Sequence, residues 1–196
     1  MNSDIFNKIY KLHKRKLKYL LIPNKKLLIC FSGIPGSGKT YIAKILEKRY
    51  KGVRVNSHDI GKIILELVKL KKINKNTDAK KLQNDYQLWL LRKSLFKNDL
   101  IILDRGIDRE YDKVFKVARK KGFSIFVIKL RVSENILKNR LKRREEENVI
   151  NYLRALERWK REFKEFGKKA MTDIIIDNNY DLDLKELFKR LDKLVR

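Results

Sequence analysis

Gly33-Ile34-Pro35-Gly36-Ser37-Gly38-Lys39-Thr40 reads as G-x-x-x-x-G-K-T, and the rest of the chain is understood outward from it. The apolar run Leu27-Leu28-Ile29-Cys30-Phe31 before it reads as a buried strand, and a helical pattern opens at Lys39. Strand, loop and helix in that order are the setting this motif requires. Gly33, Gly36 and Gly38 let the backbone turn and bring its N–H groups close to phosphate oxygens, while the helix start adds a positive dipole end. Lys39 is then expected to reach the β- and γ-phosphates, and Thr40 to offer its hydroxyl to a magnesium ion. Pro35, Ser37 and Tyr41 complete the expected nucleotide-contacting stretch. The motif predicts ATP and Mg2+ as ligands.

The chain has 196 residues, enough for one α/β domain, and 43% of them are hydrophobic, which excludes a disordered tail. No run approaches the ~18 apolar residues of a membrane span. Lys8, Lys11, Lys14, Arg15, Lys16 and Lys18 interrupt the start, so no apolar core of signal-peptide type forms there. The single cysteine, Cys30, cannot make an internal disulfide, and its place in the first strand suits packing. These features together predict a cytoplasmic protein. Net charge is +26, from 50 basic and 24 acidic residues. Such an excess favours polyanionic partners, nucleic acid above all. The competing reading is general lysine usage, because the lysines run along the whole chain. No motif bears on oligomeric state.

Phe6, Ile9, Tyr10, His13, Leu17, Leu20 and Leu21 at helical spacing predict a basic amphipathic helix over 5–21, closed by Pro23-Asn24. Residues 1–24 thus precede a domain spanning 25–196. Strands are predicted at 27–32, 53–56, 100–104, 123–130 and 173–177. Helices are predicted from Lys39 to about 50, twice within 60–97, at 108–121, up to about 144, at 147–166 and along Leu184–Leu194. Thr77 or Asp78 would cap the second helix of the 60–97 pair. Continuous apolar strands alternating with helices mean a parallel sheet covered on both faces, with ligands gathered at the carboxyl ends of its strands.

Candidate chemistry lies at those ends. Asp104 closes the third strand, where P-loop proteins keep a metal-orienting carboxylate. The second strand ends in Asn56-Ser57-His58-Asp59. Asp59 is the preferred general base, with His58 the alternative, and Ser57 or Asp59 could instead simply cap a helix. Arg140 and Arg144 are four apart and share a helix face, so the two could clamp transferring phosphate from a lid at about 138–150.

The ordered set G-x-P-G-S-G-K-T, Asn-Ser-His-Asp, Ile-Ile-Leu-Asp-Arg, the spaced arginine pair and Asp-Ile-Ile-Ile-Asp-Asn resembles small P-loop kinases. Within these it is most similar to the predicted kinases grouped with the polynucleotide 5′-hydroxyl kinase domain. Transfer-RNA seryl kinase and zeta-toxin kinases are more distant relatives. The resemblance spans about residues 27–195. It implies a three-layer α/β/α P-loop NTPase fold, with a five-stranded parallel sheet in the order 2-3-1-4-5 and a helical lid. It also implies magnesium-dependent transfer of the ATP γ-phosphoryl group to a hydroxyl. By position, Lys39 and Thr40 match the phosphate lysine and magnesium hydroxyl, Asp104 the strand-three aspartate, and Arg140 with Arg144 the lid pair.

The departures concern the acceptor. Relatives follow the second strand with an aspartate and, three residues later, an arginine that holds the acceptor's phosphate. Asp59 is followed at that spacing by Lys62, which keeps the charge and loses the bidentate fork. The register one residue earlier pairs His58 with Gly61 and has no anchor. Arg105-Gly106 stands where many relatives have Thr-Asn, so that loop's acceptor contacts do not carry over directly; His58, Lys62 and Arg105 are the expected acceptor contacts here. A GTPase would carry Asn-Lys-x-Asp and a transporter ATPase its Ser-Gly-Gly signature, and neither occurs. A mechanical ring ATPase would need a larger module. Three readings stay open: a kinase acting on nucleic-acid ends, an ATP-dependent nucleic-acid-binding protein with little or no transfer, and a small-metabolite kinase.

Overall fold

The computed structural model describes residues 3–14, 26–74, 78–143 and 149–195. Five parallel strands form one sheet: β1 (Leu27–Ser32), β2 (Val53–Asn56), β3 (Leu100–Gly106), β4 (Ser124–Arg131) and β5 (Ile174–Asp177). Their spatial order is β2-β3-β1-β4-β5, as the resemblance implies. The helices are α1 (Ser3–Lys14), α2 (Lys39–Tyr50), α3 (Ser57–Lys69), α4 (Ala79–Ser94), α5 (Tyr111–Arg119), α6 (Glu134–Lys142), α7 (Val149–Lys169) and α8 (Lys185–Val195).

β1 is the central strand, and all six of its residues are buried. Side chains alternate across a sheet, so its apolar run serves two cores at once. Leu27, Ile29 and Phe31 pack with Ile42 and Leu46 of α2 and Leu187 and Leu191 of α8. Leu28 and Cys30 pack on the opposite face with α1, α3, α4 and α5. Burial pushes the Cys30 thiol far up, so it stays protonated and inert. Phe6 and Ile9 of α1 are buried in that second core, and Phe6 meets Tyr86 edge-on. Burying a side chain such as Phe6 contributes about 1.5–3 kcal/mol, so α1 is held by packing. Residues 15–25, which include the rest of the helix expected over 5–21, lie outside the described residues.

Two boundaries differ from the sequence expectations in ways that shape the site. β3 runs on through Arg105 and Gly106, because a register shift after Cys30 pairs Phe31 with Gly106. The following helix therefore starts at Tyr111 and leaves Ile107–Glu110 as a loop at the strand ends. The helix after β2 starts directly at Ser57, and its cap is Asn56, not Ser57 or Asp59. The Asn56 side-chain oxygen accepts from the amides of His58 (2.7 Å) and Asp59 (3.0 Å), which places both residues in the first turn. For α4 the cap is Asp78, accepting from the Lys81 amide, while Thr77 lies outside the described residues.

Candidate active site

β1 lies between β3 and β4, so the loop after it emerges from the middle of the sheet, where the strand order reverses. Gly36 and Gly38 hold φ of 93° and 101°, a left-handed conformation that disfavours any side chain. The loop is clasped from outside. Asn178, just past β5 and 7% exposed, donates its amide to the Ser37 carbonyl at 2.8 Å. Arg140 of α6 donates to the Asn178 carbonyl at 3.0 Å and the Gly36 carbonyl at 3.4 Å. Leu137 and Leu141 of α6 are buried beside Gly36, so this helix packs against the loop. A Cβ on Gly38 would collide with the Asn178 amide. Gly38→Ala is therefore expected to weaken ATP binding at least tenfold while lowering the melting temperature only modestly, read by calorimetry and thermal unfolding.

Inside the loop, Lys39 Nζ donates to the carbonyls of Gly33 (2.6 Å) and Ile34 (2.9 Å), folding the ammonium back across the turn. Thr40 Oγ1 donates to Asp104 Oδ1 at 2.9 Å. Asp104 is 3% exposed, and its other oxygen accepts from Arg54 at 2.7 Å and from the Asn56 amide. Arg54 also donates to Glu47 at 2.7 Å. Burial depresses the Arg54 pKa, but its hydrogen bonds to Glu47 and Asp104 outweigh that effect and raise it. An always-charged guanidinium thus aims the Asp104 carboxylate at Thr40. A hydroxyl and a carboxylate in contact are hard oxygen donors suited to Mg2+, which keeps most of its shell as water and substrate phosphate. No group of three or more His, Cys, Asp and Glu that could hold a metal occurs among the described residues. The site fits magnesium with Thr40 and Asp104 as its protein partners.

The loop opens into a cleft of about 1210 Å3. Arg140, Arg105, His58 and Tyr41 line it, and so do Lys39, Thr40 and Asp104. Asp59 does not: its carboxylate lies 3.9 Å from Arg54, on the side of the Asp104 ion pair. Lys62 is exposed and outside the cleft lining. Arg105 forms an ion pair with Glu110 and donates to the Gln87 side chain at 2.7 Å. Arg144 lies outside the described residues, whereas Arg143 reaches the cleft.

Several site residues had little or no signal in the sequence. Asp108 accepts from Ser32 Oγ at 2.6 Å and from the Gly33 amide at 3.1 Å, tying the start of the loop to the turn after β3. Its spacing four residues beyond Asp104 was a usable hint. Trp159 of α7 and Gln83, Asn84 and Gln87 of α4 also line the cleft, and no motif marks them.

A central glycine-rich loop with an invaginated lysine, a hydroxyl–carboxylate pair beside it and a parallel sheet beneath define a P-loop NTPase domain. The chain belongs to the AAA domain family, whose model matches residues 28–166. Solved structures share the fold. A chain from the PezAT chromosomal toxin–antitoxin system of Streptococcus pneumoniae superposes with a TM-score of 0.67 at 16% identity, covering 93% of this chain and 79% of that one. A candidate kinase from Chloroflexus aurantiacus gives 0.60 at 10% identity, covering 89% and 97%. The tunicamycin resistance protein of Deinococcus radiodurans gives 0.54 at 20% identity, covering 87% and 96%. At these identities the likeness concerns the fold. No curated protein matches the sequence. Among the described residues, no helix is long and apolar enough to cross a membrane.

Proposed function

We propose that this protein is a kinase that transfers the γ-phosphoryl group of ATP to a hydroxyl, with a nucleic-acid end as acceptor. The observation that carries the reading is the cleft itself: Lys39, Thr40 and Asp104 meet at one end of a space that continues well beyond the phosphate loop. A protein that only bound nucleotide would not need that further volume. The candidate kinase from Chloroflexus aurantiacus, similar in fold, adds support by analogy.

The chemistry follows from the residues. Lys39 exchanges its two carbonyl acceptors for phosphate oxygens and neutralises charge that grows as the γ-phosphoryl group leaves. Arg140, already bonded to the loop at Gly36, adds a second cation. Thr40 and Asp104 would hold magnesium, which would supply charge neutralisation on the phosphate oxygens. The acceptor oxygen forms its bond to phosphorus as the bond to the β-phosphate oxygen breaks, and the hydroxyl proton passes to a base. His58 takes that part in our reading, because it faces the cleft while Asp59 turns toward Arg54. The net charge of +26, with Arg143 and Arg158 at the cleft, supports a polyanionic acceptor.

Labelled ATP and 5′-hydroxyl oligonucleotides test the reading. Label on the oligonucleotide is the expected result; ATP-stimulated retention without label would leave a binding protein, and label on a small hydroxyl compound alone would leave a metabolite kinase. In the same assay His58→Ala is expected to slow transfer by roughly 100-fold, with Asp59→Asn changing it far less. The reverse order would return the base to Asp59.

A further inference from the structure

Gln87 sits in the middle of α4 and is 2% exposed, yet it lines the cleft. Its Oε1 accepts from Arg105 at 2.7 Å. A guanidinium only donates, so this bond fixes which way the amide faces. Glu110 holds Arg105 in turn, which makes the orientation a property of the whole Glu110–Arg105–Gln87 chain. The consequence is that Gln87 Nε2 is buried with no hydrogen-bond acceptor among the described residues. Buried donors are nearly always satisfied, and an orphan in a residue that lines a binding cleft points to an atom brought in by a ligand.

We infer that Gln87 is a specificity-determining residue whose Nε2 donates to a neutral carbonyl or hydroxyl oxygen of the acceptor. The inference rests on the kinase reading and deepens it. Neutrality follows from the surroundings. The Arg105 charge is already balanced by Glu110, so an anion brought to Gln87 would meet no net positive charge there. Asn84 and Gln83, three and four residues earlier, share the helix face with Gln87 and add further amides to the same wall. Lys62, the residue expected to anchor an acceptor phosphate, is outside this wall. The acceptor is therefore gripped through uncharged polar groups, as the base or sugar of a terminal nucleotide offers, and its phosphates are left to the cleft arginines Arg143 and Arg158.

Gln87→Glu tests the claim. The substitution keeps an oxygen for Arg105 and removes the donor, while adding a carboxylate beside the Glu110–Arg105 pair. With a 5′-hydroxyl DNA oligonucleotide and labelled ATP, the KM for the oligonucleotide is expected to rise at least tenfold while the KM for ATP stays within about twofold. A second variant, Gln87→Met, which also lacks the donor, should show the same split. Thermal unfolding of both ligand-free variants separates recognition from support: a modest fall in midpoint is expected, because Gln87→Glu brings a second carboxylate to Arg105 and Gln87→Met removes an acceptor from it, while the lost donor itself has no partner in the free protein. An unchanged oligonucleotide KM in Gln87→Glu overturns the inference while the kinase reading stands. A shift of both KM values together with a large loss of stability in both variants also overturns it, by making Gln87 structural. If the parent protein labels no hydroxyl at all, the kinase reading falls and takes this inference with it.

Discussion

Lys39→Ala is expected to reduce phosphoryl transfer by about a thousandfold or more and to leave the fold standing. The two halves of that expectation have separate causes. In the free protein the ammonium rests on the Gly33 and Ile34 carbonyls, so removing it exposes two acceptors on a cleft wall that water already reaches. The loop keeps its other restraints, since Asn178 still donates to Ser37, Arg140 to Gly36, and Gly33 to Asp108. The stability cost should therefore be near that of an ordinary exposed hydrogen bond, about 0.5–1.5 kcal/mol. In the transition state the same ammonium stands against charge spread over phosphate oxygens in a partly closed site, where a fixed cation is worth far more. Labelled-ATP transfer and circular-dichroism melting measure the two halves. Undiminished turnover in the variant would remove the basis for reading this loop as the catalytic one.

Asp104→Ala should fail in a different way, losing stability and activity together. The carboxylate is almost wholly buried and is the meeting point of Thr40, Arg54 and Asn56. Its removal leaves the largely buried Arg54 with Glu47 as its close partner. Breaking one side of a buried ion pair costs about 3–5 kcal/mol, and the surviving Glu47 contact puts this case at the lower end. The double variant Arg54→Met/Asp104→Ala separates structure from function. Removing the stranded guanidinium should restore most of the melting temperature, because the uncompensated charge is gone, whereas magnesium-dependent nucleotide binding and transfer should stay low. If the double variant melts no higher than Asp104→Ala alone, the ion pair is not what Asp104 contributes to the fold.

Gly33–Thr40 announced its own strand, loop and helix because phosphate binding by backbone amides requires local conformation, and local conformation is written in neighbouring residues. The apolar runs at Leu27 and Leu100 were legible for a related reason: a parallel strand buried on both faces cannot hide its composition. Asp104 was legible as the end of such a run. The cleft beyond the phosphates was not. Gln87 and Trp159 come from separate helices, and each looks like an ordinary helix residue until the chain is folded.

The case of His58 and Asp59 shows where the division falls. Both stand in the first turn of α3, adjacent in sequence, and composition alone favoured the carboxylate as base. The Asn56 cap sets the rotation of that turn, so that His58 meets the cleft and Asp59 meets Arg54. A one-residue step on a helix is a turn of about 100°, far more than a catalytic site tolerates. The sequence by itself determined the nucleotide loop, the α/β class and the strands. Only the tertiary structure decided which polar groups line the cleft, because helix rotation and the pairing of distant charges depend on contacts between segments that no local pattern records.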